Sequence, residues 1–283
     1  MPPTSDARTI QIGHSPDPDD AFMFHGIATG QVQVPDGWRV VQVLQDIETL
    51  NQMALAGRIE VTAVSIHAYA YLADRYALLP CGASMGDGYG PMVVAKRPVP
   101  IDALKTLTIA VPGRMTSAVL ALRLALGDVR TEVVPFDQIL DRVVSGKSEA
   151  GLIIHEGQLT YADAGLHCAL DLGDWWKRET GLPLPLGGNA VRKDLGRETI
   201  AAVSSLLKAS IEHGLRHREE ALGYALDFGR GIGRATADRF VGMYVNDYTL
   251  DYGDSGRRAI DLFLRRGVEA GIIPHPVQVE FTA

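Results

Sequence analysis

Long apolar runs are missing from this 283-residue sequence. The richest, around AVLALRLAL, is interrupted by arginine and falls far short of the roughly 20 apolar residues that span a bilayer. No membrane insertion is expected. The N-terminal stretch MPPTSDARTIQIGHSPDPDD has no basic segment followed by an apolar one, so no secretory leader is read and the expected location is the cytoplasm. Cysteine is scarce: Cys81 and Cys168 are the two, and neither has a CxxC neighbour. Two thiols in an unexported chain are expected to be free and to act as small buried hydrophobes. A basic excess is missing too, with 27 Lys and Arg against 34 Asp and Glu and a net charge of −7. A nucleic-acid partner is therefore not expected, since such proteins normally carry a basic face. No run of five or six like charges marks a disordered tail or a polybasic patch.

The composition, 46% hydrophobic and 22% charged, is that of a soluble globular chain. Its length suffices for two modest units, each with its own core. Short runs rich in Val and Ile alternate with stretches of helical spacing. Thr9–Gly13, Val40–Leu44 and Val61–Ser65 read as strands, and Asp19–Ala28 and Asp46–Ala56 as helices, Asp46 being placed as an N-cap. A second set follows Lys96-Arg97-Pro98-Val99-Pro100. Its strands are Thr108–Val111, Glu132–Val134 and Ala150–Ile154, and its helices Thr116–Leu126 and Phe136–Ser145. Strand–helix alternation of this kind predicts an α/β fold with parallel sheets. The stretch Leu182–Gly188 holds too much Pro and Gly for a helix or a central strand. Beyond it the chain turns helical over Arg197–His213, Arg216–Phe228, Arg234–Asn246 and Gly256–Ala270, helices expected to return to the first lobe. The expected organisation is lobe one over 1–96 and 191–283 and lobe two over 97–190. Two chain crossings would make a hinge, and a hinge between α/β lobes makes a ligand cleft.

Several segments could carry chemistry. His14-Ser15-Pro16-Asp17-Pro18-Asp19-Asp20 follows the first strand, where α/β sheets present ligand groups. Helix capping accounts for Asp19 or Asp20; Ser15 and Asp17 are the better ligand candidates. Ser65 ends the third strand ahead of His67, and can cap a helix, meet an anion, or both. His67 itself reads as a packed histidine. In Pro112-Gly113-Arg114-Met115-Thr116-Ser117, one hydroxyl suffices to cap the next helix and the other is spare for an anion. The strand AGLII runs into His155-Glu156-Gly157. An imidazole there titrates near neutrality under modest influence, and Glu156 can orient it or bind substrate. HEGQL is not the HExxH of zinc proteases, and Gly146-Lys147-Ser148 lacks the first glycine of a phosphate loop. Gly229-x-Gly231-x-Gly233 misses the dinucleotide spacing. No metal and no cofactor is expected. His213 and His217, without a third ligand, read as surface residues, and Trp175-Trp176 as packing at the rear of lobe two.

Five segments in order, GHSPDPDDAFMF, SIHAYAYLADRYALLPCGASMGDGYGP, PGRMTSA, AGLIIHEGQLTY and DLGDWWKRETGLPLPLGGN, resemble the 1,4-dihydroxy-6-naphthoate synthase family of the futalosine route to menaquinone. The resemblance runs from about residue 9 to residue 195. It implies a two-lobed periplasmic-binding-protein-like (type II) fold on a cytoplasmic enzyme. The implied reaction is a carbon–carbon lyase step that splits cyclic dehypoxanthine futalosine and releases 1,4-dihydroxy-6-naphthoate. His155 would be the proton acceptor, and Ala63, Val64, Ser65, Thr116 and Ser117 would bind substrate. Family members often carry Thr-Thr or Thr-Ala where this chain has Thr116-Ser117, a departure that keeps the first hydroxyl. Competing expectations are chorismate dehydratase of the same pathway and a non-catalytic solute-binding protein. Both a monomer and a homodimer stay open.

Overall fold

Local chemistry sets the ends of the main helices. Asp46 accepts the Thr49 N–H at 3.0 Å and so caps the helix Ile47–Leu55, while Thr116 accepts the Val119 N–H at 3.3 Å ahead of the helix Ser117–Leu126. Asp171 receives two amides, of Gly173 and Asp174, at the start of the helix Leu172–Thr180. The structure, a computed structural model, describes residues 7–282. Residues 1–6, where the segment read for a secretory leader begins, and Ala283 lie outside the described residues. The chain divides into two units, Met1–Ser84 with Gly187–Gly253 and Gln278–Ala283, and Met85–Leu186 with Asp254–Val277.

In the first unit the sheet runs in the order Trp38–Leu44, Arg8–His14, Val61–Ser65, Leu184–Arg192, Tyr76–Leu78. Arg8–His14 is parallel to both of its neighbours, as the alternating pattern predicts. Leu184–Arg192 is antiparallel to Val61–Ser65 over Gly187–Val191. This corrects the expectation that Pro and Gly keep the segment out of a central strand. Pro183 and Pro185 both precede the portion paired with Val61–Ser65, so no N–H of that ladder is lost. Gly188 is required there, because a Cβ would stand 2.3 Å from the Tyr252 hydroxyl. The helix Pro18–Ala28 is buried on nearly all sides and receives Arg197–Arg216, Arg218–Ala225 and Arg234–Tyr244. Phe22, Phe24, Leu207, Ile211 and Val241 share its core.

In the second unit the order is His167–Asp171, Met92–Ala95, Ala150–Ile153, Thr108–Val111, Arg130–Val133. Thr108–Val111 is parallel to both neighbours, and Met92–Ala95 antiparallel to both of its own. That antiparallel strand draws the first division back to Ser84/Met85 from the expected 96/97; the second falls at Leu186/Gly187, against 190/191. The helix Gly253–Glu269, expected with the first lobe, belongs to the second unit from Asp254 onward. Phe263 meets Trp176 edge-on at 5.3 Å, and the Arg266 guanidinium lies 5.2 Å from the same ring. Trp176 is fully buried and donates its indole N–H to Pro183 O at 3.0 Å. Both cysteines are free, Cys81 buried as expected but Cys168 exposed, since its strand is the last of the sheet.

Candidate functional site

The turn after Arg8–His14 is held by a closed set of polar contacts within the first unit. His14 is fully buried, stacks on Phe24 at 4.2 Å, and places Nδ1 3.0 Å from Ser15 O and Nε2 2.9 Å from the Gln42 side-chain amide. The Ser15 N–H donates to Asp20 Oδ2 at 2.7 Å, and the Ser15 hydroxyl donates to Asp17. Asp17 stands at the N-cap position of Pro18–Ala28, yet its side chain caps no helix amide. It instead accepts from Arg230 at 2.5 Å. Asp20 does not cap either; burial pushes its carboxyl up to about 6 despite the nearby His14.

Ser65 ends a fully buried strand. Its N–H donates to Asn51 Oδ1 at 2.9 Å, and its Oγ accepts from Asn51 Nδ2 at 3.0 Å. Asn51 comes from the helix Ile47–Leu55 and has no solvent exposure. Because the Asn51 amide uses the Oγ lone pair, the Ser65 hydroxyl proton stays available for an acceptor. Ser65 makes no cap bond to the short helix Ile66–Tyr69, so the capping reading is not realised. Ala63 and Val64 are buried and their backbone is paired to Asn189 and Gly188.

In the second unit, Thr116 caps its helix and also donates to Gly113 O at 3.3 Å. The Ser117 hydroxyl, expected to be spare, donates to Leu186 O at 2.5 Å. His155 and Glu156 lie just beyond the strand Ala150–Ile153, 6% and 3% exposed. His155 meets Phe136 edge-on at 5.7 Å. Its Nδ1 accepts the Gly157 N–H at 3.0 Å, so the neutral ring carries its own proton on Nε2. Gly157 is needed at this spot, because a Cβ would stand 2.7 Å from the ring. Glu156 Oε2 is 3.8 Å from Nδ1, within a small side-chain movement of hydrogen-bonding distance.

Sequence reading missed Asn51, Gln42 and Arg230. Asn51 sits mid-helix with no motif around it, and Arg230 lies in a glycine run considered only as a nucleotide loop. His213 is also a correction. It is buried rather than exposed, stacked on His217 at 4.2 Å and facing His25 at 5.5 Å, with His217 alone reaching solvent. Burial lowers the pKa of both His25 and His213. His67 is buried against Tyr71, as read. Among the described residues no group of three or more His, Cys, Asp or Glu could hold a metal ion, and no helix is long and apolar enough to cross a membrane.

Solved structures define the fold class. The alkanesulfonate-binding protein of Xanthomonas axonopodis pv. citri superposes with a TM-score of 0.73 at 11% identity, covering 98% of each chain. A Candida albicans protein described as having the generic periplasmic binding protein fold gives 0.70 at 12%, covering 93% of this chain and 90% of its own. The chain thus has the two-unit α/β fold of periplasmic binding proteins. A protein of Archaeoglobus fulgidus is far nearer, with a TM-score of 0.90 and 45% identity over 93% of this chain and 98% of its own. The menaquinone biosynthesis family matches residues 10–269, and the chain belongs to that family. Two relatives carry the name 1,4-dihydroxy-6-naphtoate synthase. The one from Thermus thermophilus is 44% identical, covering 89% of this chain and 92% of its own. The one from Streptomyces coelicolor is 36% identical, covering 95% and 96%.

Proposed function

We propose that this protein is a cytoplasmic carbon–carbon lyase that converts cyclic dehypoxanthine futalosine to 1,4-dihydroxy-6-naphthoate, with His155 as general base and no metal or cofactor. The observation that carries the reading is a buried His155-Glu156 pair at a strand end, in a chain whose relatives bear the synthase name over nine-tenths of its length. The reaction asks for one group to take a proton, after which aromatisation of the released bicyclic ring pulls the cleavage forward. It asks for no electron sink. A positioned base typically contributes about 10²–10⁴-fold.

For Nε2 to receive that proton, Nδ1 must hold the ring's other one. Gly157 would then have to give way as the Nδ1 partner, and Glu156 is the acceptor that replaces it. An anionic Glu156 also stabilises the imidazolium formed on proton transfer. The Ser65 hydroxyl, with its proton free to donate, suits a carboxylate or carbonyl oxygen of the substrate. Thr116 and Ser117, at a helix N-terminus, suit a second anionic group, and the strand backbone at Ala63 and Val64 borders the bound molecule. Ser15 and Asp17 serve the sugar-derived part.

The test is turnover by the purified protein, with chorismate as the comparison substrate and a chelator in parallel. Release of naphthoate from cyclic dehypoxanthine futalosine, undiminished by the chelator and without dehydration of chorismate, is the expected result. Chorismate turnover points to the dehydratase, and tight binding without turnover to a solute-binding protein.

A further inference from the structure

We infer that Arg230 is a positioning residue that makes Ser15 a hydrogen-bond acceptor, selecting a hydroxyl of the substrate. The inference rests on the function proposed above. Arg230 has φ +49°, and it is the one non-glycine residue with positive φ among the described residues. It sits between Gly229 and Gly231 in the loop leading to the helix Arg234–Tyr244. A side chain in that backbone region is held against its own preference, and such strain gathers at functional sites. Here the guanidinium reaches across more than 200 residues of sequence to Asp17, at 2.5 Å, with a longer contact to Pro16 O at 3.5 Å.

Asp17 passes the constraint on. One carboxylate oxygen meets Arg230 and the other takes the Ser15 hydroxyl proton. The carboxylate forgoes the helix cap that its position offers. Ser15 is then committed at every polar group but one: its N–H to Asp20, its carbonyl to His14, its hydroxyl proton to Asp17. What remains is the lone pairs of Oγ, so a ligand group meeting Ser15 has to be a donor. Ser65 is wired the opposite way, since Asn51 occupies its Oγ as a donor and leaves the proton to give. Two serines in one unit thus present opposite hydrogen-bonding polarity. Ser15 takes the hydroxyl end of a substrate and Ser65 an anionic or carbonyl oxygen.

Steady-state kinetics on cyclic dehypoxanthine futalosine test this with Arg230→Gly, Arg230→Lys, Ser15→Ala and the double variant Ser15→Ala/Arg230→Gly. Glycine tolerates the backbone geometry at 230, so the fold is kept while the guanidinium is lost. Arg230→Gly is expected to raise KM about tenfold, the size of one well-placed hydrogen bond, with kcat within about twofold. Arg230→Lys restores most of the loss by keeping a cation beside Asp17. The double variant is no worse than Ser15→Ala alone, because both act through one hydroxyl. If Arg230→Gly does not fold, Asp17→Asn takes its place in the same comparison. An unmoved KM in Arg230→Gly, or penalties that multiply in the double variant, would overturn the inference while wild-type turnover leaves the proposed function standing. A wild type without turnover overturns both.

Discussion

Replacing Asn51 with alanine isolates the clamp behind Ser65. The perturbation removes two buried hydrogen bonds, of 2.9 and 3.0 Å, and leaves the Ser65 N–H without its acceptor in a buried strand. An unsatisfied buried donor costs about 1–3 kcal/mol. The volume vacated by the amide adds about 1–2 kcal/mol, because a well-packed site collapses only partly. The total, about 2–5 kcal/mol, corresponds to a fall in Tm of roughly 5–15 °C. Thermal unfolding followed by circular dichroism reads it directly. Asn51→Asp is the companion variant: it keeps an acceptor for the Ser65 N–H but makes the hydroxyl donate to a carboxylate. It should recover part of the stability and still raise KM, since the proton meant for the substrate is now engaged. A loss below about 0.5 kcal/mol in Asn51→Ala would refute the reasoning, because the clamp would then carry no energy.

Three further predictions concern buried ionisable groups. Burial raises Asp20 from 3.8 to about 6, so the folded state disfavours the ionised form and loses stability as pH rises through that interval. Asp20→Asn should therefore be more stable than wild type at pH 7, by up to about 2–3 kcal/mol, and the advantage should vanish near pH 4 in melts across that range. His25 is shifted the other way, lowered by burial and by His213. Its contribution is complete above the ordinary histidine pKa and is lost as pH falls below about 6.5; His25→Phe should flatten the decline in Tm between pH 7 and 5, and an unchanged slope would remove the stack from acid sensitivity. Glu156→Gln removes the counter-charge of the imidazolium formed on proton transfer, so kcat should fall about tenfold or more with KM little changed; a raised KM at unchanged kcat would assign Glu156 to substrate binding instead.

Periodicity made most of the elements legible. Val61–Ser65 and Thr108–Val111 are read to the residue, and Asp46 and Thr116 cap the helices they precede. These are cases in which a local signal and the tertiary environment agree. Legibility fails where pairing is decided at long range. Leu184–Arg192 looks like a loop because its prolines and glycines weigh equally in a local reading, yet the prolines lie before the ladder with Val61–Ser65 and Gly188 makes room for Tyr252. Met92–Ala95, short and beside a Pro-rich break, gives no period, and its antiparallel partners are more than fifty residues away. The helix Gly253–Glu269 is plain in sequence, but its assignment to the second unit depends on Trp176. The same division holds among the candidate functional residues of each unit. His155, Glu156, Ser15 and Thr116 announce themselves at strand and helix ends, where chain direction limits what a polar residue can do. Asn51 reaches Ser65 from mid-helix and Arg230 reaches Asp17 from a distant loop, and only the folded chain brings these pairs together.

The central claim is that His155 takes the proton. Its most direct test is the single-turnover rate of naphthoate release by His155→Gln beside wild type, with binding and Tm measured on the same preparations. Gln keeps a polar side chain of similar reach but cannot accept a proton at neutral pH. The expected result is a loss of at least about 100-fold in rate, with substrate still bound and the fold intact. A variant that releases naphthoate within a few-fold of the wild-type rate would contradict it.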